Sequence, residues 1–186
     1  MAEDIEPIYW TFRPLSVEKL KQCVQDAFAD VIYPGDDNIT ISSCPCQECR
    51  DTREFFRGRH WREVVSSGQP LQPIGWGGLA ILSPQAWRFY LPAYILVSLS
   101  EGDGAEEALD CALYSLSPVR TGHGDAWFTE RAFALSVAQQ ECIRSYACAV
   151  LESLSQDEVV QDEAVAAAAI YWKGRVTETK AEQVAV

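Results

Sequence analysis

The stretch AWRFYLPAYILVSL, from Ala86 to Leu99, constrains the fold more than any other part of this sequence. It is dense in aromatic and branched side chains, and it falls short of the ~20 apolar residues that a membrane-spanning helix needs. Arg88 and Pro92 also interrupt it. It therefore belongs in the core of a globular protein. Just before it, Ser83 and Pro84 supply a capping hydroxyl and a proline at the first helical position, which together mark a helix start. Pro92 has no amide hydrogen and its ring crowds the preceding turn, so a kink or a split is expected there.

Helical spacing recurs on both sides of this core segment. In LSVEKLKQCVQDAFADV, the residues Leu15, Leu20, Cys23, Val24, Ala27 and Phe28 share one stripe, with Ser16 placed to cap. Residues Glu48 to Arg57 have no breaker and end at Gly58, and a short helix is expected over His60 to Val65. Ala105 to Leu116 sets Leu109, Ala112, Leu113 and Leu116 on one side and stops at Ser117 and Pro118. Ser136 with Gln139, and Ser155 with Glu158, have the spacing of reciprocal capping boxes. The first heads a stripe of Ile143, Ala147, Val150 and Leu154; the second heads an alanine-rich helix suited to close packing. The fold class read from this pattern is mainly α, a compact multi-helix domain with a Cys-rich loop segment. One helical domain is expected over residues 1–174, with a polar, frayed tail from 175 to 186.

Between these helices lie two kinds of punctuation. In YPGDDN, Pro34 and Gly35 suit the central positions of a type II turn, and Asp36 and Asp37 read as turn formers rather than an acid and base pair. SSGQPLQPIGWGG, residues 66–78, holds two prolines and four glycines and reads as a lid, linker or partner-facing loop, with Trp76 as a contact candidate.

The chemistry lies in SSCPCQECRDTREFFRGRHW. Cys44, Cys46 and Cys49 fall within six positions, and thiolates so spaced can converge on one ion. Seven cysteines is an odd number, and the N-terminal MAEDIEPIYW has acids where a secretory signal needs bases. The protein reads as cytoplasmic, where thiols stay reduced and a disulfide framework is a poor account. Zinc takes four ligands, so the set is completed here with His60. A helix of ~1.5 Å rise per residue carries the chain away from Cys49, however, and His60 returns only if it doubles back at Gly58. His123, Cys23 or a carboxylate are the other candidates for the fourth place. A site closed by four protein ligands is structural; one with water in the fourth place is catalytic. The neighbouring arginines offer a third account, a cysteine of lowered pKa acting as a redox or nucleophilic thiol. Their simplest reading is a solvated helix face paired with Asp51, Glu54 and Glu63. Cys111, Cys142 and Cys148 read as buried packing residues.

Net charge completes the picture. At −12, the surface repels a phosphate backbone and favours a basic protein partner; nucleic acid and membrane are not expected partners. The segment Arg50, Arg53, Arg57, Arg59 and Arg62 is a cationic exception. No P-loop, GxGxxG, GxSxG, HExxH or EF-hand pattern is present.

The combination of YPGDDNI, the Cys-x-x-Cys of CQECR, a tryptophan after a short helix, and SPQAWRFYLPAYIL resembles an uncharacterised family of small acidic bacterial proteins, over about Leu15 to Leu116. That resemblance implies a compact bacterial domain and brings no activity with it. The residues lead to a non-enzymatic cytosolic interaction protein with a structural zinc, of the kind that inhibits a basic toxin or effector as an immunity protein does. The alternative is a small metal-dependent enzyme using the Cys/His cluster.

Overall fold

The computed structural model describes residues 15–41, 44–66, 78–101, 104–118, 125–153, 166–172 and 174. It is mainly helical. In chain order the helices are α1 (Val17–Ala27), α2 (Gln47–Phe56), α3 (Trp61–Ser66), α4 (Pro84–Ser98), α5 (Ala105–Leu116), α6 (Asp125–Phe133) and α7 (Val137–Ser153), followed by helical residues 166–172.

Helix α4 is the centre. Every residue from Ala86 to Leu96 except Arg88 is buried, which requires neighbours on all sides. Helices α1, α3, α5 and α6 all pack on it, and α7 packs on α1. Ser83 caps it by accepting the Ala86 N–H at 3.1 Å, with Pro84 in the first turn. The expected split at Pro92 does not occur, because the helix runs unbroken to Ser98. One lost backbone hydrogen bond weighs less than burial of the aromatic and aliphatic side chains on either side of it, each worth about 1.5–3 kcal/mol. No described helix is long and apolar enough to cross a membrane.

Other expectations meet the structure residue by residue. Helix α1 buries Leu20 and Val24 with Phe28 just beyond, although the Ser16 hydroxyl makes no capping bond. Helix α5 has the expected bounds and α7 buries Ile143, Ala147 and Val150, while Leu154 and the Ser155 capping box lie outside the described residues. So do the loop over 67–77 with Trp76, His123, and the tail from 175. Gly35 takes the positive φ expected of it, 85°, but its ψ of 151° is far from the value near 0° of a type II turn. The chain instead enters a 3₁₀ turn at Asp36–Asn38. Helix α6 had no counterpart in the sequence reading. Its Arg131 is buried and donates to the carbonyls of Trp127 and Leu82, tying α6 to the chain just before α4.

Among the described residues the extended pairing is a single antiparallel bridge between Thr40 and Leu82. The Ser83 N–H reaches the Ile39 carbonyl at 2.9 Å, and its hydroxyl donates to the Asn38 carbonyl. The segment that leads to the cysteines is thus fastened to the start of the central helix.

Candidate metal centre

Four residues after this bridge the chain arrives at Cys44, and α2 begins at Gln47 with Cys46 as its N-cap. The Cys46 sulfur accepts the Cys49 N–H at 3.4 Å, in the place usually taken by a serine or aspartate oxygen. The Cys44 thiol donates to the same sulfur at 3.1 Å. All three sulfur atoms lie within 4.8 Å of one another. Bonds of ~2.3 Å at a tetrahedral ion separate two sulfurs by about 3.8 Å, so small side-chain adjustments bring all three onto one zinc.

The local sequence explains the convergence. Pro45 holds the chain extended between the first two cysteines, and the first turn of α2 brings Cys49 beneath Cys46. Arg50 reaches back, donating to the Pro45 carbonyl and to Gln47 Oε1 at 2.8 Å, and so clips the cysteine turn to its own helix. Arg53 donates to Thr40 Oγ1 at 3.0 Å and fixes the approach. Cys49, Thr52 and Phe56 form the inner face of α2, so the cluster stands at the surface with its third member rooted in the core.

Exposure grades the three thiols. Cys46 is exposed, Cys44 half-buried and Cys49 buried. The Cys49 N–H and then the Cys44 thiol hold the Cys46 pKa below the ordinary thiol value. Burial first, and the bond to Cys46 next, push Cys49 up to about 12. Of Cys46 and Cys49, the one at the helix N-terminus therefore gives up its proton more readily. A dication replaces the thiol hydrogens and favours all three thiolates.

His60 stands outside this group of converging ligand atoms. It opens α3, where its Nδ1 accepts the Arg62 N–H at 3.1 Å and its own N–H goes to Glu63 at 2.9 Å. Its ring packs edge-on to Phe89 with centroids 5.1 Å apart. Burial, followed by the Arg62 charge, lowers its pKa. Cys23 is likewise elsewhere, in the middle of α1. Three of the arginines make contacts other than the expected pairing with Asp51, Glu54 and Glu63. Arg50 and Arg53 bind the groups just described, and Arg62 lies over the Trp61 ring at 4.2 Å. Asp51 and Glu63 take neutral donors instead, from Gln47 and the His60 backbone.

Comparison with known proteins matches residues 16–176 to a family of unknown function (DUF6714). The chain belongs to this family. Within DUF6714, this member has a three-cysteine cluster that can hold a metal ion. No curated protein and no solved structure matches the chain.

Proposed function

We propose that this protein is a metal-stapled helical interaction domain of the cytosol, in which zinc on Cys44, Cys46 and Cys49 fixes the turn into α2 and the acidic surface receives a basic protein. The observation that carries it is the convergence of three sulfur atoms at one helix N-terminus, with one of them anchored in the core. Zinc is the fitting ion because soft thiolates select it among common metals. A net charge of −12 supports the partner's sign, since complementary potential speeds encounter and rejects acidic competitors. An inhibitor of a basic toxin or effector is one protein of this kind.

The test has two arms. Protein purified under reducing conditions should contain one zinc per chain, and it should capture from its source cells one basic protein in stoichiometric amount, released as salt rises. A chain that holds no metal after loading, or captures nothing with that salt response, overturns the corresponding half.

A metal-dependent enzyme is the second reading, and the exposure of Cys46 together with three converging donors among the described residues favours it. Zinc there would keep a coordination place for water or substrate. Cobalt-substituted protein separates the two, because azide shifts the visible bands of an open site and leaves those of a closed one unchanged.

A further inference from the structure

We propose that Cys23 and Cys142 form a reversible redox pair that cross-links α1 to α7, with a low-molecular-weight disulfide as its oxidant. The inference stands apart from the metal site.

The two residues lie on helices that pack against each other. Cys142 belongs to the core cluster and Cys23 packs against it, and the two stand close enough across the interface for each thiol to shift the other's titration. One turn away on each helix, Gln139 Nε2 donates to the Ala27 carbonyl at 3.1 Å. Ala27 follows Cys23 by four residues and Gln139 precedes Cys142 by three, so the two contacts are successive rungs of one antiparallel helix pair. The second rung holds the register of the first. A disulfide needs its partners on closely approaching backbones, and the Gln139–Ala27 bond holds α1 and α7 together one turn from the two cysteines.

Exposure orders the chemistry. Cys23 is half-buried and Cys142 fully buried, so an oxidant meets Cys23 first. The Cys142 hydrogen bond lowers the Cys23 pKa to about 7, against the opposing influence of burial, Asp26 and Glu141, which keeps a share of it as thiolate near neutral pH. The Cys23 thiolate attacks one sulfur of the oxidant, a Cys23–sulfur bond forms, and one small thiolate leaves. Cys142 then gives its proton to the small thiolate released in the first step and attacks the Cys23 sulfur, which expels the second small thiolate. The protein loses two hydrogens and two electrons, and the oxidant becomes two thiols. Added dithiol reverses the sequence.

Cystamine is a suitable probe, since its ammonium groups match the neighbouring Asp26 and Glu141. The reduced full-length protein is treated with cystamine, digested at acidic residues, which separates Cys23 from Cys44 at Asp26, and sequenced by fragmentation, which tells Cys142 from Cys148. The expected result is a Cys23–Cys142 linked fragment and a rise in Tm that dithiothreitol reverses. Cys142→Ala should instead keep one cysteamine on Cys23 and show no rise. If that variant does not fold, Cys23→Ser should abolish both the link and the rise. Wild-type protein that keeps cysteamine on Cys23, links Cys23 elsewhere, or leaves it unreacted overturns the proposal.

Discussion

Gly58 donates its backbone N–H to the Tyr33 hydroxyl at 2.9 Å, joining the turn after α2 to the segment after α1 across 25 residues. The same N–H reaches Asp36 Oδ1 at 3.1 Å, and Tyr33 donates to that oxygen at 2.6 Å. The YPGDD segment therefore has a structural use. Its tyrosine and first aspartate receive the end of α2, where Gly58 turns with φ of 66°.

Gly58→Ala tests the turn alone, since a Cβ there would meet nothing within 4 Å. Its cost is the left-handed backbone, about 1 kcal/mol. Tyr33→Phe removes the hydroxyl that joins Gly58 to Asp36 and is expected to cost about 1 kcal/mol by itself. Urea midpoints of the two variants and the double variant check both values. The double variant should lose less than the sum, because the substitutions act on one hydrogen-bonded unit.

Gln139 does more than cap. Its Oε1 accepts the Ser136 N–H and Arg88 Nε, both at 3.1 Å, its N–H goes to the Ser136 hydroxyl at 3.3 Å, and its amide nitrogen reaches Ala27. Ser136→Ala deletes half of the capping box and should cost about 1 kcal/mol. Gln139→Leu strands Arg88 and the Ala27 carbonyl as well, and a loss of about 2–3 kcal/mol is expected. Thermal or urea denaturation gives the order directly; equal losses would mean that the interhelical bonds contribute nothing.

The contrast between these two residues shows what the sequence reveals. Ser136 and Gln139 are three positions apart, so their bond follows from helix geometry and was legible. The link from Gln139 to Ala27 depends on how α7 lies against α1, and no local pattern encodes it. The Cys23–Cys142 contact has the same origin: Cys23 reads as part of an apolar stripe and Cys142 as a buried packing residue, and neither reading names a partner. Burial of the Ala86–Leu99 run could be read from composition, whereas the continuity of α4 through Pro92 follows from packing on every side. Helix α6 was hidden because it follows TGHG directly and is only nine residues long. Cys44, Cys46 and Cys49 were legible as a group because six positions confine their sulfurs. His60 joins that group in the sequence only through a doubling back at Gly58, and in the structure its Nδ1 accepts the Arg62 N–H.

Cys46 and Cys49 separate metal binding from packing. In chelator, Cys46→Ser should leave Tm within a degree or so of wild type, because serine caps a helix at least as well as the sulfur it replaces. Cys49→Ser places a hydroxyl at a position only 4% exposed and should lower Tm even without metal. With zinc present, both variants should lose the increase in Tm that zinc gives the wild type. A wild-type protein whose melting is the same in zinc and in chelator removes the metal from the account.

Stability should fall with pH in two stages. His60 has a folded pKa below its ordinary 6.5, from burial and then Arg62, and Asp36 one below 3.8, led by the Tyr33 hydrogen bond. In both cases the unfolded chain binds the proton more readily, so each contribution is complete above the ordinary value and is lost as pH falls through the lower folded one. The first stage therefore begins near pH 6.5 and the second below about 4. Urea midpoints between pH 8 and 3, taken in chelator so that proton competition for the cysteines does not overlap, should show both. His60→Gln should remove the first stage and keep the second, and Asp36→Asn the reverse. A first stage that persists in His60→Gln would assign the loss to other groups and leave the half-buried imidazole without a share in acid sensitivity.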